Sequence, residues 1–250
     1  ISRVVDRMIV ILPFEEALYR QAGVPCEFVG HPLLDAVASS YDRAELRKRF
    51  GFETSAPVIG LLPGSREREV RSLLPVMLEA AARMARWHPG LLAVVAQASS
   101  IREGLEGLIE ELAAGAGLGV RVVRDQPNEV MAASDLLLVA SGTATLQAAV
   151  IGTPMVIAYR TSWLSYWLAR LVIRVNWIGL VNIVAGRGIV PELIQDEATA
   201  ERLSDEGHRL LRDEAALSGM RAAFRAVRDS LGSPGASRRA AEVILKECRA

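Results

Sequence analysis

Two stretches of the sequence decide the fold: VIGLLPGSR at residues 58–66 and LLLVASGTAT at residues 136–145. Each begins with five residues that carry no polar side chain, and then passes through glycine and a hydroxyl residue into a segment able to form a helix. A short apolar run bounded by turn residues is typical of a strand buried on both faces, as in a parallel sheet. The two stretches therefore predict strands followed directly by helices, the repeating unit of an α/β fold.

The same alternation extends along most of the chain. We predict further strands over residues 7–12, 26–30, 91–97, 120–123 and 155–159. The clearest helical pattern places Leu73, Met77, Ala80, Met84 and Trp87 at spacings of 4, 3, 4 and 3 residues. The sequence therefore predicts a Rossmann-like parallel sheet with helices on both faces, followed from residue 191 by amphipathic helices.

Composition limits the class of protein. Lys plus Arg and Asp plus Glu each number 29 among 250 residues, so the formal net charge is zero, and 51% of the residues are hydrophobic. These values exclude a disordered chain and a broadly basic nucleic-acid-binding chain. Because Cys26, Cys248 and the three histidines are isolated, we expect a reduced cytosolic protein with no metal and no cofactor. Since the first residue is Ile1 rather than Met, we expect a longer parent protein.

The turns that follow the two decisive strands are candidates for binding phosphate. At Gly64, Ser65 and Arg66, glycine lets the backbone approach an anion, the helix start presents N–H groups, and arginine can hold two oxygens. The second turn consists of Ser141, Gly142, Thr143 and Ala144. Two such turns at strand ends favour a phosphate-bearing ligand, with ordinary strand-to-helix turns as the alternative. Gln147, one helical turn further on, could contact a sugar hydroxyl or be a solvated helix residue.

A third candidate region lies between residues 159 and 187, where basic and aromatic residues occur without an acidic one. If residues 162–174 are helical, tryptophans and leucines cover much of the surface while arginines share one face. Such a helix suits a membrane surface that contains anionic lipid, and a helix buried between domains is the alternative. The candidates for membrane contact are Trp163, Trp167, Arg170 and Arg174.

Several runs of the sequence together resemble one family of enzymes. They are LPFE (12–15), FVGHPLLD (28–35), LPGSR (62–66), SGTATL (141–146), GTPMV (152–156), YWLA (166–169) and GLVN (179–182). In this order they resemble the lipid-A-disaccharide synthase family, and the resemblance extends along the whole chain. It implies the C-terminal, donor-binding half of an inverting GT-B-type glycosyltransferase. The implied reaction transfers 2,3-diacylglucosamine from UDP-2,3-diacylglucosamine to 2,3-diacylglucosamine 1-phosphate, releasing UDP, in lipid A biosynthesis.

The resemblance also implies roles for particular residues. Gly64, Ser65 and Arg66, with the helix start at Ser141, Gly142, Thr143 and Ala144, would hold the UDP pyrophosphate. Asn182 would line the donor cleft, and Arg187 would orient a substrate phosphate or brace its loop. Gln147 and Gly188 stand where the family usually has glutamate, and the first of these changes predicts weaker donor binding. The general base is expected upstream of Ile1, so no catalytic residue is assigned within this chain.

Domain organisation and partners follow from the same resemblance. Residues 1–33 would end an N-terminal acceptor-binding domain, 34–56 would form a linker, 57–190 would bind the UDP-sugar and 191–250 would form C-terminal helices. The acyl chains of both substrates favour a peripheral position on the cytoplasmic face of the inner membrane. The family suggests a homodimer built from the C-terminal helices, and no nucleic-acid partner is expected.

Two other functions remain compatible with a pair of phosphate-binding turns. A UDP-sugar 2-epimerase of the same fold would need acid and base residues near the sugar, whereas these turns contribute only Arg66, hydroxyls and Gln147. A non-catalytic nucleotide-sugar-binding module would follow if Gln147 had disabled the site. Detection of an epimerised sugar, or failure to bind UDP, would distinguish these functions from glycosyl transfer.

Overall fold

The computed structural model describes residues 4–52, 55–98, 103–161 and 176–248. The strands are β1 (Met8–Val10), β2 (Cys26–Phe28), β3 (Val58–Leu62), β4 (Leu92–Gln97), β5 (Val120–Arg124), β6 (Leu136–Ala140), β7 (Met155–Tyr159) and β8 (Glu192–Ile194). The α-helices are α1 (Pro13–Gln21), α2 (Leu33–Ala36), α3 (Arg43–Arg49), α4 (Glu67–Ala85), α5 (Glu103–Ala114), α6 (Pro127–Ala133), α7 (Thr143–Ile151), α8 (Leu180–Ala185), α9 (Ala200–Arg212), α10 (Glu214–Ser230) and α11 (Ala236–Glu247). A 3-10 helix spans Gln195–Glu197.

The larger sheet contains six parallel strands in the order β5-β4-β3-β6-β7-β8. Strands β4 and β5 therefore lie in succession on one side of β3, and β6, β7 and β8 lie in succession on its other side. Ile59 lies opposite Leu136 and Leu62 opposite Val139, so these two neighbouring strands end side by side. This arrangement confirms the predicted α/β class, and it creates a switch point in strand order between β3 and β6, where such sheets bind ligands.

The core forms between this sheet and its helices. Every residue of β3 and β6 is buried, as expected for central parallel strands. Helix α4 packs against α9, and close contact between them is possible because Gly207 faces the Met84 side chain, where a Cβ would lie 2.8 Å from the sulfur atom. The predicted helical pattern included Trp87, but this residue lies beyond the end of the helix. The helix ends at Ala85, and Trp87 is 46% exposed beside the His208 ring.

Strands β1 and β2 form a separate two-stranded parallel sheet, with α1 between them in the chain. The C-terminal segment attaches to this small sheet through backbone contacts: the N–H of His31 donates to Leu231 (2.9 Å), and Arg239 Nε donates to the carbonyl of Val29 (2.8 Å). Gly30 and Gly232 have positive φ angles and approach closely, since a Cβ on Gly232 would lie 3.3 Å from the Gly30 Cα. The end of the chain therefore packs beside its beginning.

Two segments differ from the predicted secondary structure. The stretch expected as a linker, residues 34–56, contains α3, and Leu46 and Phe52 lie in the core of the larger body. Asp135 pairs with Arg43 and Arg47 of α3 and also accepts the N–H of Val58 at 2.8 Å. These contacts hold α3 against the larger sheet. The region from residue 191, expected to be helical, first supplies strand β8 at the sheet edge.

Candidate functional site

The turns that follow β3 and β6 meet in one cleft of about 350 Å³ at the switch point of the sheet. The structure therefore brings together eight of the residues singled out from the sequence: Gly64, Ser65, Arg66, Ser141, Gly142, Thr143, Ala144 and Gln147. Other lining residues come from the ends of β3, β4 and β6 and from α6. The cleft combines an apolar floor with polar groups at helix starts, which is a common composition for a ligand site.

The first turn is shaped by Gly64, whose φ of +109° is a conformation that side-chain-bearing residues rarely adopt. Glu69 folds back onto this turn. Its Oε2 accepts the N–H groups of Ser65 (3.2 Å) and Arg66 (3.4 Å), and its Oε1 accepts Arg66 Nη1 (2.9 Å). A carboxylate therefore contacts the same donors that an incoming phosphate would use.

Glu69 was not identified from the sequence, although its spacing was a usable signal. It is the third residue after the helix N-cap Arg66, where a glutamate commonly reaches back to the backbone of the N-cap residue. The Arg66 side chain is 81% exposed, so its guanidinium group can turn from Glu69 toward a ligand in the cleft.

The second turn begins helix α7. Gly142 is the N-cap, with φ 154° and ψ −162°, and no side chain among the described residues caps the helix. The amide of Thr145 donates to the Gly142 carbonyl (3.1 Å), whereas those of Thr143 and Ala144 keep their capacity to donate to an anion, and the positive end of the helix dipole adds to the attraction. Ser141 Oγ donates to the carbonyl of Ile178 (3.0 Å), and Thr145 Oγ1 donates to that of Gly142 (2.8 Å). These two hydroxyls fix the turn.

Gln147 lines the cleft on α7 and donates through Nε2 to Asn128 Oδ1 on α6. The contact ties its amide to the neighbouring helix.

Asn182 lies outside the cleft, contrary to the expectation that it lines the donor site. Its side chain is fully buried (0% exposed) and all of its hydrogen-bonding capacity is used. Nδ2 donates to the Val190 carbonyl and to Glu192, while Oδ1 accepts the N–H groups of Ile189 and Val190. This arrangement makes Asn182 a brace for the loop between α8 and β8.

Glu192 completes this brace and was also missed from the sequence. Its carboxylate accepts the N–H groups of Ile178 (2.8 Å) and Gly179 (2.9 Å) in addition to Asn182 Nδ2 (2.7 Å). The same segment accepts the Ser141 hydroxyl, so Glu192 supports the second turn of the cleft from behind. Arg187 is exposed on the braced loop and does not line the cleft.

A wider cleft of about 700 Å³ adjoins the first and shares Arg66, Glu69, Ala140 and Ser141 with it. It extends to Arg68 on α4 and to Tyr159 and Arg160 at the carboxyl end of β7. Gln195 holds the chain beyond β7, because its side chain accepts the N–H of Thr161 (2.7 Å) and donates to the Thr161 carbonyl (3.0 Å).

The residues predicted to contact a membrane, Trp163, Trp167, Arg170 and Arg174, lie outside the described residues. Among the helices that are described, none combines the length and the apolar character needed to cross a bilayer. The described ranges also contain no group of three or more His, Cys, Asp or Glu side chains arranged to hold a metal ion.

Structural comparison finds solved structures of similar fold at low sequence identity. The chain is similar to a UDP-GlcNAc 2-epimerase from Neisseria meningitidis bound to UDP-GlcNAc, with a TM-score of 0.66, 14% identity and coverage of 98% of this chain and 62% of that one. It is also similar to S. aureus MnaA in a UDP co-structure, with a TM-score of 0.67, 12% identity and coverage of 99% and 62%. These similarities support the fold alone.

Sequence comparison is more specific. The family model for lipid-A-disaccharide synthetase matches residues 1–245. The lipid-A-disaccharide synthases of Geobacter metallireducens and Anaeromyxobacter dehalogenans (strain 2CP-1) are 46% and 48% identical over 246 residues, each covering 98% of this chain. The chain spans 63% of the length of these two relatives. On this evidence, the chain belongs to the lipid-A-disaccharide synthase family.

Proposed function

We propose that this chain is the donor-binding part of a lipid-A-disaccharide synthase and that its cleft holds the UDP portion of UDP-2,3-diacylglucosamine. The complete enzyme would transfer 2,3-diacylglucosamine to 2,3-diacylglucosamine 1-phosphate and release UDP. The observation that carries the proposal is the meeting of two helix-start turns, at Gly64–Arg66 and Ser141–Ala144, at the switch point of the sheet. The UDP-bound proteins of similar fold, named above, support the same ligand class.

The pyrophosphate would lie between the two turns. The amides at the start of α7 would donate to its oxygens, and Arg66 would leave Glu69 to hold a second position. As the bond from the sugar to the β-phosphate breaks, negative charge grows on the departing UDP. An arginine and a helix N-terminus can stabilise such charge without a metal ion, and we propose that the reaction is metal-independent.

The sugar and its acyl chains would extend into the wider cleft beside Tyr159 and Arg160. Gln147 would approach the ribose from α7, and Asn182 would act from outside the cleft by holding the segment that accepts the Ser141 hydroxyl.

We propose that the general base comes from a part of the complete protein outside this chain. Three acidic residues near the small sheet have other partners: Glu15 accepts the N–H of Leu12 (3.2 Å), Glu16 pairs with Arg20 (2.7 Å), and Asp35 accepts the N–H of Gly235 (2.7 Å). An inverting transfer needs a base at the acceptor hydroxyl, and these carboxylates serve helix and loop contacts instead.

The activity is tested by supplying the longer protein that contains this chain with UDP-2,3-diacylglucosamine and 2,3-diacylglucosamine 1-phosphate. We expect the β-linked disaccharide 1-phosphate and an equal amount of UDP, detected by mass spectrometry. A 2-epimerised sugar with no disaccharide would support the epimerase alternative, which the named relatives do not favour. Failure to bind UDP, with neither product formed, would favour a non-catalytic module.

We also propose that the protein acts at the cytoplasmic surface of the inner membrane, using Trp163, Trp167, Arg170 and Arg174, and that it forms a homodimer. The acyl chains of both proposed substrates and the basic, aromatic composition of this segment support the first point. Replacing Trp163 and Trp167 with Ser should reduce co-sedimentation with anionic liposomes while leaving UDP binding intact. Unchanged co-sedimentation would contradict the membrane role.

A further inference from the structure

A second cavity, of about 190 Å³, lies at the opposite edge of the larger sheet from the UDP cleft. Its walls include Ser134, which precedes β6, and Gly152–Pro154, which precede β7, whereas the cleft follows the ends of β3 and β6. A five-residue strand spans roughly 16 Å, so the two sites are separate. Residues 38–41 and helix α10 supply the other walls, and the cavity is open to solvent.

Arginines dominate the charge of this cavity. Arg43, Arg221 and Arg228 line it, and none of its lining residues is acidic. Arg43 shares Asp135 with Arg47, and Arg221 pairs with Glu214 (3.0 Å), a residue that is itself largely exposed. Arg228 has no ion-pair partner within the described ranges. The cavity therefore has an excess of positive charge.

The guanidinium group of Arg43 is only partly paired within the described residues. One of its terminal nitrogens contacts Asp135, but its Nε is buried and finds no acceptor among the described residues. Buried N–H groups in folded proteins nearly always have a hydrogen-bond partner. The Arg43 side chain as a whole is 40% exposed and lines the cavity, so its guanidinium group is accessible to an oxygen atom placed there.

Hydroxyl groups add further donors. Tyr41 accepts the N–H of Ala38 through its phenol oxygen (3.3 Å), so its own hydrogen is still able to donate. Ser39 and Ser40 are exposed beside it on the cavity wall. Ser134 and Thr153, by contrast, donate to the carbonyls of Val130 and Met131 and have no hydrogen left for a ligand.

We propose that this cavity is a binding site for phosphate or a phosphomonoester, held by Arg43, Arg221 and Arg228 together with the Tyr41 hydroxyl. A guanidinium group can pair with two phosphate oxygens through two parallel hydrogen bonds, whereas a lysine ammonium acts as a point charge. A cavity lined by arginines is therefore suited to phosphate. The volume is below the roughly 300 Å³ at which sites for drug-sized ligands begin. The site therefore accepts a phosphate group with a small substituent, and not a nucleotide.

The test uses NMR titration of the 250-residue chain at constant ionic strength, observing the Nε–H resonance of Arg43. One titration uses inorganic phosphate and another uses glucosamine 1-phosphate, with chloride as the reference. We expect the Arg43 resonance to shift with either phosphate compound and not with chloride. Tighter binding of glucosamine 1-phosphate would assign the site to a sugar phosphate, and equal binding would assign it to free phosphate.

Arg228→Ala should weaken this binding about tenfold, because one charged donor is removed from the cavity. Arg225→Ala is the matched control, since Arg225 lies on the same helix, is exposed and does not line the cavity. If the Arg43 resonance does not respond to phosphate, or if both variants weaken binding equally, the proposal is wrong and only general charge attraction is present.

Discussion

Gly142→Ala isolates the backbone conformation on which the second turn depends. The φ and ψ of Gly142 (154°, −162°) lie in a region that is essentially reserved for glycine, and no atom of the described residues lies within 4 Å of a Cβ built there. The cost of the substitution is therefore backbone strain, of about 1–3 kcal/mol, and not a steric clash. We expect urea unfolding, followed by circular dichroism, to reveal a loss of this size.

Gly219→Ala is the matched control. Gly219 lies inside helix α10 and is exposed, and a Cβ built there also meets nothing within 4 Å in the part of the chain that the structure describes. Here alanine should stabilise the chain by about 0.5–1 kcal/mol, since glycine is unfavourable within a helix. The two variants should differ by about 1.5–4 kcal/mol, or roughly 3–16 °C in melting temperature for a chain of this length. Equal stability would refute the strain argument.

Three further predictions concern the site and the response to pH. Arg66→Ala should weaken UDP binding roughly tenfold or more in calorimetry, because a charged hydrogen bond contributes about 1.5–3 kcal/mol. Arg71→Ala is the control and should leave UDP binding unchanged, since Arg71 is exposed on helix α4 and pairs with Glu67. Glu69→Gln should tighten UDP binding, since the carboxylate that contacts the donors of the first turn loses its charge, and weaker binding would contradict this competition. The pKa of His88 is lowered by burial and by the nearby His208 and Arg212, so the unfolded chain protonates His88 more readily than the folded chain does. Stability should therefore fall as the pH drops below about 6.5. In denaturation at several pH values, His88→Gln should make that fall shallower, and an unchanged slope would contradict the assignment.

The central strands could be predicted because their local sequence is decisive. Strands β3, β6 and β7 have the predicted bounds, since each is an apolar run with proline, glycine or a polar residue at its ends. Strand β8 was missed because it has three residues, includes Glu192 and is at the sheet edge, where burial is incomplete. Short edge strands depend on their neighbours more than on their own composition.

The polar stretch over residues 34–56 illustrates a second limit. Its charged residues suggested a linker, yet Arg43 and Arg47 reach Asp135, about ninety residues further along the chain. An ion pair between distant residues leaves no periodic signal, so the docking of helix α3 could not be predicted. The turns of the cleft could be predicted because glycine directly after a buried strand is a local signal.

Asn182 shows that the role of a site residue could not be predicted from the sequence alone. Its motif suggested a ligand contact, but the structure surrounds its amide with Val190, Ile189 and Glu192. Nothing in a single sequence distinguishes an asparagine that binds a ligand from one that braces a loop. The distinction depends on burial, which is a property of the folded chain.

The most direct test of the central claim is a crystal structure of this chain soaked with UDP. We predict that the pyrophosphate lies between the two turns, within hydrogen-bonding distance of the amides at the start of α7 and of the Arg66 guanidinium group, with that side chain turned away from Glu69. UDP bound elsewhere, or no UDP density in well-ordered crystals at millimolar nucleotide, would contradict the proposal that this cleft is the donor site.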